Sequence, residues 1–159
     1  MIDRHFTATG LVFSRQGQIL LIHHKKLNVW LPPGGHVEKN ERPDDAVLRE
    51  IFEETGIRAA LLKSNSLPDA QDDFAQVLAT PFAVFDEDIR AQHNHFHLDL
   101  LYLCRALDEV LQENRSETNG AAWFGRAQID GLETYHNAKS IIQHAFDYFE
   151  KNPSDFFGK

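Results

Sequence analysis

Gly35-His36-Val37-Glu38-Lys39-Asn40-Glu41-Arg42-Pro43-Asp44-Asp45-Ala46-Val47-Leu48-Arg49-Glu50-Ile51-Phe52-Glu53-Glu54-Thr55-Gly56-Ile57 is the stretch on which the reading of this chain turns. Pro43 suits a first helical turn, and Asp44 and Asp45 suit the positive end of the helix dipole, so a helix should begin near Pro43. Gly56 is its natural stop. Ala46, Val47, Leu48 and Ile51 form the core-facing stripe. Glu50, Glu53 and Glu54 fall on one face of the same helix, at relative angles of roughly 0°, 300° and 40° for 100° per residue. Like charges one turn apart repel, so a face built this way calls for a bound counterion. The fitting one is a hard, oxygen-seeking divalent cation.

Just upstream, Trp30-Leu31 leads into Pro32-Pro33-Gly34-Gly35. Two prolines forbid helix there and two glycines allow close backbone approach, which predicts a rigid loop presenting main-chain atoms. In one register the stretch reads Gly35, five residues, Glu41, seven residues, Arg49-Glu50-Ile51, one residue, Glu53-Glu54, one residue, Gly56-Ile57. This resembles the signature of the Nudix hydrolases, which cleave nucleoside diphosphates linked to another moiety. Every specified position is filled, and a chance match at average composition has odds on the order of 10⁻⁷ or less.

The resemblance implies an α/β fold, the Nudix-type α/β/α sandwich with a mixed β-sheet. It implies hydrolysis of a phosphoanhydride (diphosphate) bond in a nucleotide or nucleoside-diphosphate derivative, with Mg²⁺ or Mn²⁺ as cofactor. Carried over residue by residue, Glu50, Glu53 and Glu54 become metal ligands, with a backbone carbonyl at Gly34 or Gly35. Glu41 and Arg49 become an ion pair that anchors the loop and orients the carboxylates. Glu50, Arg49 and Glu53 form the catalytic set. Glu50 is the first candidate for the base that takes a proton from water, with Glu87 and Glu117 as alternatives. The cation would bridge diphosphate oxygens, neutralise charge on the leaving phosphate and acidify a bound water.

The rest of the composition agrees with this class. At 159 residues one domain over 1–151 is the simplest organisation, with 152–159 a frayed tail unless Phe156 and Phe157 dock on the body or on a second copy. A net charge of -8 argues against nonspecific nucleic-acid binding, and cations must supply the attraction for a polyanionic substrate. No apolar run approaches the ~18 residues that span a bilayer, and the start lacks a signal-peptide pattern, so a cytoplasmic protein with no membrane partner is expected. The single cysteine, Cys104, sits in an apolar run and reads as a small buried hydrophobe. The resemblance leaves a homodimer open.

Thr7 to Ser14 and Gln18 to His24 read as strands joined by a hairpin turn at Gln16-Gly17. Further strands are expected at Ala59 to Ser64, Gln76 to Phe85, Phe96 to Arg105 and Ala121 to Phe124. Asn65 to Phe74, with Pro68, reads as a loop, and Tyr135 to Lys151 as a last helix. Apolar strands mixed with flanking helices imply a sheet covered on both faces.

Other residues are candidates for the substrate. His24 and Lys25, within His23-His24-Lys25-Lys26, close a strand before the metal loop and could meet phosphates. His36 lies within reach of the metal region. His93, His95, His97 and Asp99 alternate and so share one side of a strand; they read as a pocket wall or surface row, or, less in keeping with Mg²⁺, as imidazole ligands for a transition metal. His97 and Asp99 are the inward pair. Trp30, Phe82, Phe85, Trp123, Phe124 and Tyr135 are possible stacking surfaces, though most aromatics are core. A nucleoside-triphosphate pyrophosphatase, an ADP-ribose or nucleotide-sugar pyrophosphatase, and a nucleotide sensor without turnover remain the competing readings; the Trp30 to Gly35 lead-in leans toward the first.

Overall fold

The structure, a computed structural model, describes residues 2–62, 72–89, 94–112 and 118–158. His93, Glu117 and Pro68 lie outside them. Along the described residues the chain forms β1 (Asp3–Phe13), β2 (Ile19–His24), β3 (Val29–Leu31), β4 (Gly34–His36), α1 (Pro43–Thr55), β5 (Ala59–Leu61), β6 (Ala83–Asp88), β7 (His95–Ala106), β8 (Thr118–Phe124), a 3-10 turn at Arg126–Gly131, α2 (His136–Lys151) and α3 (Pro153–Phe157). The strands make one mixed sheet ordered β3-β2-β1-β7-β5, with β4 on β1, β6 on β7 and β8 on β2. Its centre is the parallel pairing of β1 and β7, from Asp3 opposite His95 to Phe13 opposite Arg105.

Strand alternation splits the apolar residues between two cores. Ala8, Val12, Leu20, Tyr102 and Cys104 pack against Ala46, Val47 and Ile51 of α1. Leu11, Phe13, Ile19, Leu21, Leu101 and Leu103 pack against Ile142, Ala145 and Phe146 of α2. The result is the expected α/β/α sandwich. Gly10 lets α1 come close: a Cβ there would lie 2.6 Å from Ile51 Cδ1. Helix α1 starts at Pro43 and ends where Gly56 takes φ 73°, its N–H donating to the Phe52 carbonyl, as the punctuation predicts. Cys104 is fully buried, and burial pushes its thiol pKa up. No helix among the described residues is long and apolar enough to cross a membrane.

Four local expectations need correction. β1 begins at Asp3 rather than Thr7, because its polar first residues pair with β7, a non-local contact that alternation cannot reveal. The strand expected at Gln76 to Phe85 forms at Ala83–Asp88, where acidic residues are paired against Leu98 to Phe96 of β7. Gly34-Gly35 is not loop: with His36 it makes β4, antiparallel to Thr7, Ala8 and Thr9. The C-terminal segment is not frayed. Residues Pro153–Phe157 form α3, and Phe156 is buried against Phe13 and Phe149, ring centroids 5.3 and 4.9 Å away. Phe156→Ala should therefore cost about 3–5 kcal/mol, lowering the melting temperature by roughly 6–20 °C in a thermal melt followed by circular dichroism; an unchanged melt would mean the segment contributes no core.

Candidate active site

Glu50, Glu53 and Glu54 lie in the last two turns of α1, where Glu50 and Glu54 meet the β4 backbone. Arg49 is the hub. Its Nε donates to Glu41 Oε1 at 2.8 Å and one terminal nitrogen to Glu41 Oε2 at 2.9 Å, a two-point grip on one carboxylate. The other terminal nitrogen donates to Glu50 Oε1 at 2.8 Å and Glu53 Oε2 at 3.0 Å. Arg49 also donates to the His36 carbonyl at 3.0 Å, joining the helix to the end of β4. These bonds, that to Glu41 foremost, raise the Arg49 pKa, and the same guanidinium holds the Glu41 carboxyl below its usual range. Glu41 in turn accepts from the Glu38 amide at 2.9 Å, pinning the connection between β4 and α1.

Glu54 is only 5% exposed and accepts from the Gly34 amide at 2.9 Å. A Cβ on Gly35 would sit 2.6 Å from the Glu50 carboxyl carbon, and one on Gly34 would sit 2.6 Å from the Ala8 carbonyl oxygen. Both glycines are therefore required for backbone to lie against carboxylates and against β1. The structure brings Gly34, Gly35, Glu41, Arg49, Glu50, Glu53 and Glu54 into one constellation.

A second polar cluster lies across the sheet. Gly35 is opposite Ala8, on the α1 side, whereas His36 is opposite Thr7, on the other. On that second side Asp99 is buried and accepts from the Thr7 and Thr9 hydroxyls at 2.9 Å. Glu87 stands opposite His97 across β6 and β7 and accepts from the Asn137 amide of α2 at 3.3 Å. Burial raises the pKa of both carboxyls, and the nearby Asp99 charge adds to the rise at Glu87. His97 is pushed down to about 4, by burial first and then by His36, His95 and His5. His36 is lowered for the same leading reason.

The sequence expectation of an inward His97 and Asp99 agrees with this placement. His24 is used locally, its Nδ1 accepting from the Leu27 amide at 3.2 Å in the turn between β2 and β3, where Lys25 is exposed. Trp30 packs edge-on to Phe124 at 4.9 Å and Trp123 donates to the Glu109 carbonyl. Sequence reasoning missed His5, Thr7, Thr9 and Asn137. His5, Thr7 and Thr9 alternate as the histidine row does, but only the parallel register of β1 with β7 shows that the two rows share a face.

Comparison with known proteins places this geometry. A family model described as the NUDIX domain matches residues 3–145. YjhB of Bacillus subtilis (strain 168), provisionally named an ADP-ribose pyrophosphatase, is 28% identical over 87% of this chain and 59% of its own length. A protein of Lactococcus lactis subsp. cremoris (strain MG1363), provisionally named a DHNTP pyrophosphohydrolase, is 33% identical over 77% of this chain and 63% of its own. The chain thus spans less than two thirds of either relative. The crystal structure of a NUDIX family hydrolase from Clostridium perfringens aligns with a TM-score of 0.80 at 25% identity, covering 93% of this chain and 99% of that one.

Proposed function

The chain belongs to the Nudix family, and from that premise we propose that it is a pyrophosphohydrolase using Mg²⁺ or Mn²⁺ to cleave a phosphoanhydride bond in a nucleotide or nucleoside-diphosphate derivative. The observation that carries the reading is the gathering of Glu50 and Glu53 on Arg49 and of Glu54 on the Gly34 amide, all against the Gly34-Gly35 backbone. The donor set fits a hard divalent cation: every side-chain donor is a carboxylate oxygen, and Glu41, Glu50 and Glu53 share one guanidinium. Glu50, Glu53 and Glu54, with a carbonyl of Gly34 or Gly35, would hold the ion. When bound it would neutralise charge on the diphosphate and acidify water.

The chain's own residues supply order. Glu54 fixes the Gly34 amide, so the β4 backbone cannot slide relative to α1. Arg49 sets the rotamers of Glu41, Glu50 and Glu53 together. Glu50, the least exposed of Arg49's three carboxylate partners, is the group we assign to accept a proton from water. For the organic half of the substrate the same reading takes the face of Thr7, Thr9, Glu87, His97, Asp99 and Asn137, where hydroxyls, carboxyls whose pKa burial raises and an amide offer donors and acceptors to a base or sugar. We read the chain as one domain that includes α3.

A panel of nucleoside triphosphates, ADP-ribose and nucleotide sugars, assayed with and without Mg²⁺ for product phosphate after coupling to a phosphatase, tests the proposal. At least one member should turn over only with the cation. No turnover of any member with Mg²⁺ or Mn²⁺ would overturn it and favour binding without hydrolysis.

A further inference from the structure

We propose that His36, His95 and His97 form a second metal site, selective for Zn²⁺ or a similar transition metal over Mg²⁺, on the face of β4 turned away from the carboxylates. Each imidazole offers one nitrogen, and these nitrogens lie within 4.8 Å of one another. Around a tetrahedral Zn²⁺ with bonds of ~2.0–2.1 Å they would stand about 3.3 Å apart, so small side-chain rotations close the set without moving a strand. His95 and His97 are already there: their Nε2 atoms are 3.0 Å apart. His36 reaches across β1, its ring edge-on to His97 with centroids 4.9 Å apart.

An independent contact orients the set. Asp3 Oδ2 lies 3.4 Å from His95 Nδ1, leaving Nε2 directed at His97. A carboxylate on one nitrogen of a histidine whose other nitrogen faces a cluster is the arrangement that supports metal-binding imidazoles. The donor chemistry separates this site from the carboxylate one. Three imidazole nitrogens favour borderline metals, while Mg²⁺ demands oxygen. The fourth position stays open to water.

The placement gives the site a consequence. His36 follows Gly35, and its carbonyl is held by Arg49. A metal shared by His36 of β4 and His95 and His97 of β7 would clamp the end of the glutamate-bearing loop across β1 to the central strand of the sheet.

The test uses the untagged chain. Co²⁺ is titrated and the visible absorption of a tetrahedral complex recorded, and Zn²⁺ affinity is measured by competition with a chelating dye in millimolar Mg²⁺. One tight equivalent is expected, unaffected by Mg²⁺ and retained by Glu53→Gln. His95→Ala and the surface variant His36→Ala should each weaken Zn²⁺ by about 100-fold or more, beyond the ~10–100-fold typical of groups that only support a ligand, with circular dichroism confirming the fold. Unchanged affinity in His36→Ala and His95→Ala, displacement by Mg²⁺, or loss of binding in Glu53→Gln would each overturn the proposal. The result is separable from the hydrolase reading: zinc binding needs no turnover, and a failed zinc titration leaves the nucleotide panel to be judged alone.

Discussion

Glu53→Gln and Glu54→Gln should each lower kcat by at least ~100-fold on the best substrate of the panel, because removing a carboxylate from the set costs more than the ~10–100-fold seen when a supporting group is lost. An amide keeps the size and one oxygen but cannot balance a divalent charge. The two positions should differ in stability. Glu53 is half exposed, and its loss leaves Arg49 still bonded to Glu41 and Glu50, so the metal-free melting temperature should hold or rise as like charge is relieved. Glu54 is buried and accepts from the Gly34 amide; Gln can keep that bond through its carbonyl, provided the new NH₂ finds a partner. Measured together, kcat, Mg²⁺ dependence and the melt separate a cation-binding role from a packing role. Near wild-type turnover in both variants would remove the carboxylates from the chemistry.

Much of this site is legible in the chain because its spacing is local. Helix α1 carries its own start, stop and core face within Pro43 to Gly56, and the glutamate positions follow from helical geometry alone. What the sequence cannot show is pairing between distant strands. That His5 and Thr7 face the same side as His97 and Asp99 depends on the parallel register of β1 and β7, which joins residues some ninety positions apart. The Gly34-Gly35 segment was legible as a close backbone approach but not as a strand, because a three-residue strand of two glycines has no alternation to read and exists only through its bonds to Thr7, Ala8 and Thr9. Likewise Phe156 reads as tail until Phe13 and Phe149 are seen around it. Helices announce themselves through periodicity, whereas sheet edges are decided by partners.

Arg49→Ala should lower kcat/KM by roughly 30–100-fold, although Arg49 is proposed as neither metal ligand nor base, since groups that orient ligands carry effects of about that size. Its guanidinium holds Glu41 at two points, Glu50 and Glu53 at one each, and the His36 carbonyl. Removing it frees three carboxylates to repel and releases the tie between α1 and β4. Arg49→Lys should recover little, because one ammonium cannot reproduce a planar fork that grips a carboxylate at two points while reaching two others. Mg²⁺ separates the possible causes. If Arg49 acts only by neutralising charge, saturating Mg²⁺ should supply the missing positive charge and restore both the melting temperature and kcat. If it acts by setting rotamers, as the five directed bonds indicate, Mg²⁺ should restore much of the stability while kcat stays low. Full activity of Arg49→Ala at saturating Mg²⁺ would show that the geometry of the hub is dispensable and that only its charge matters.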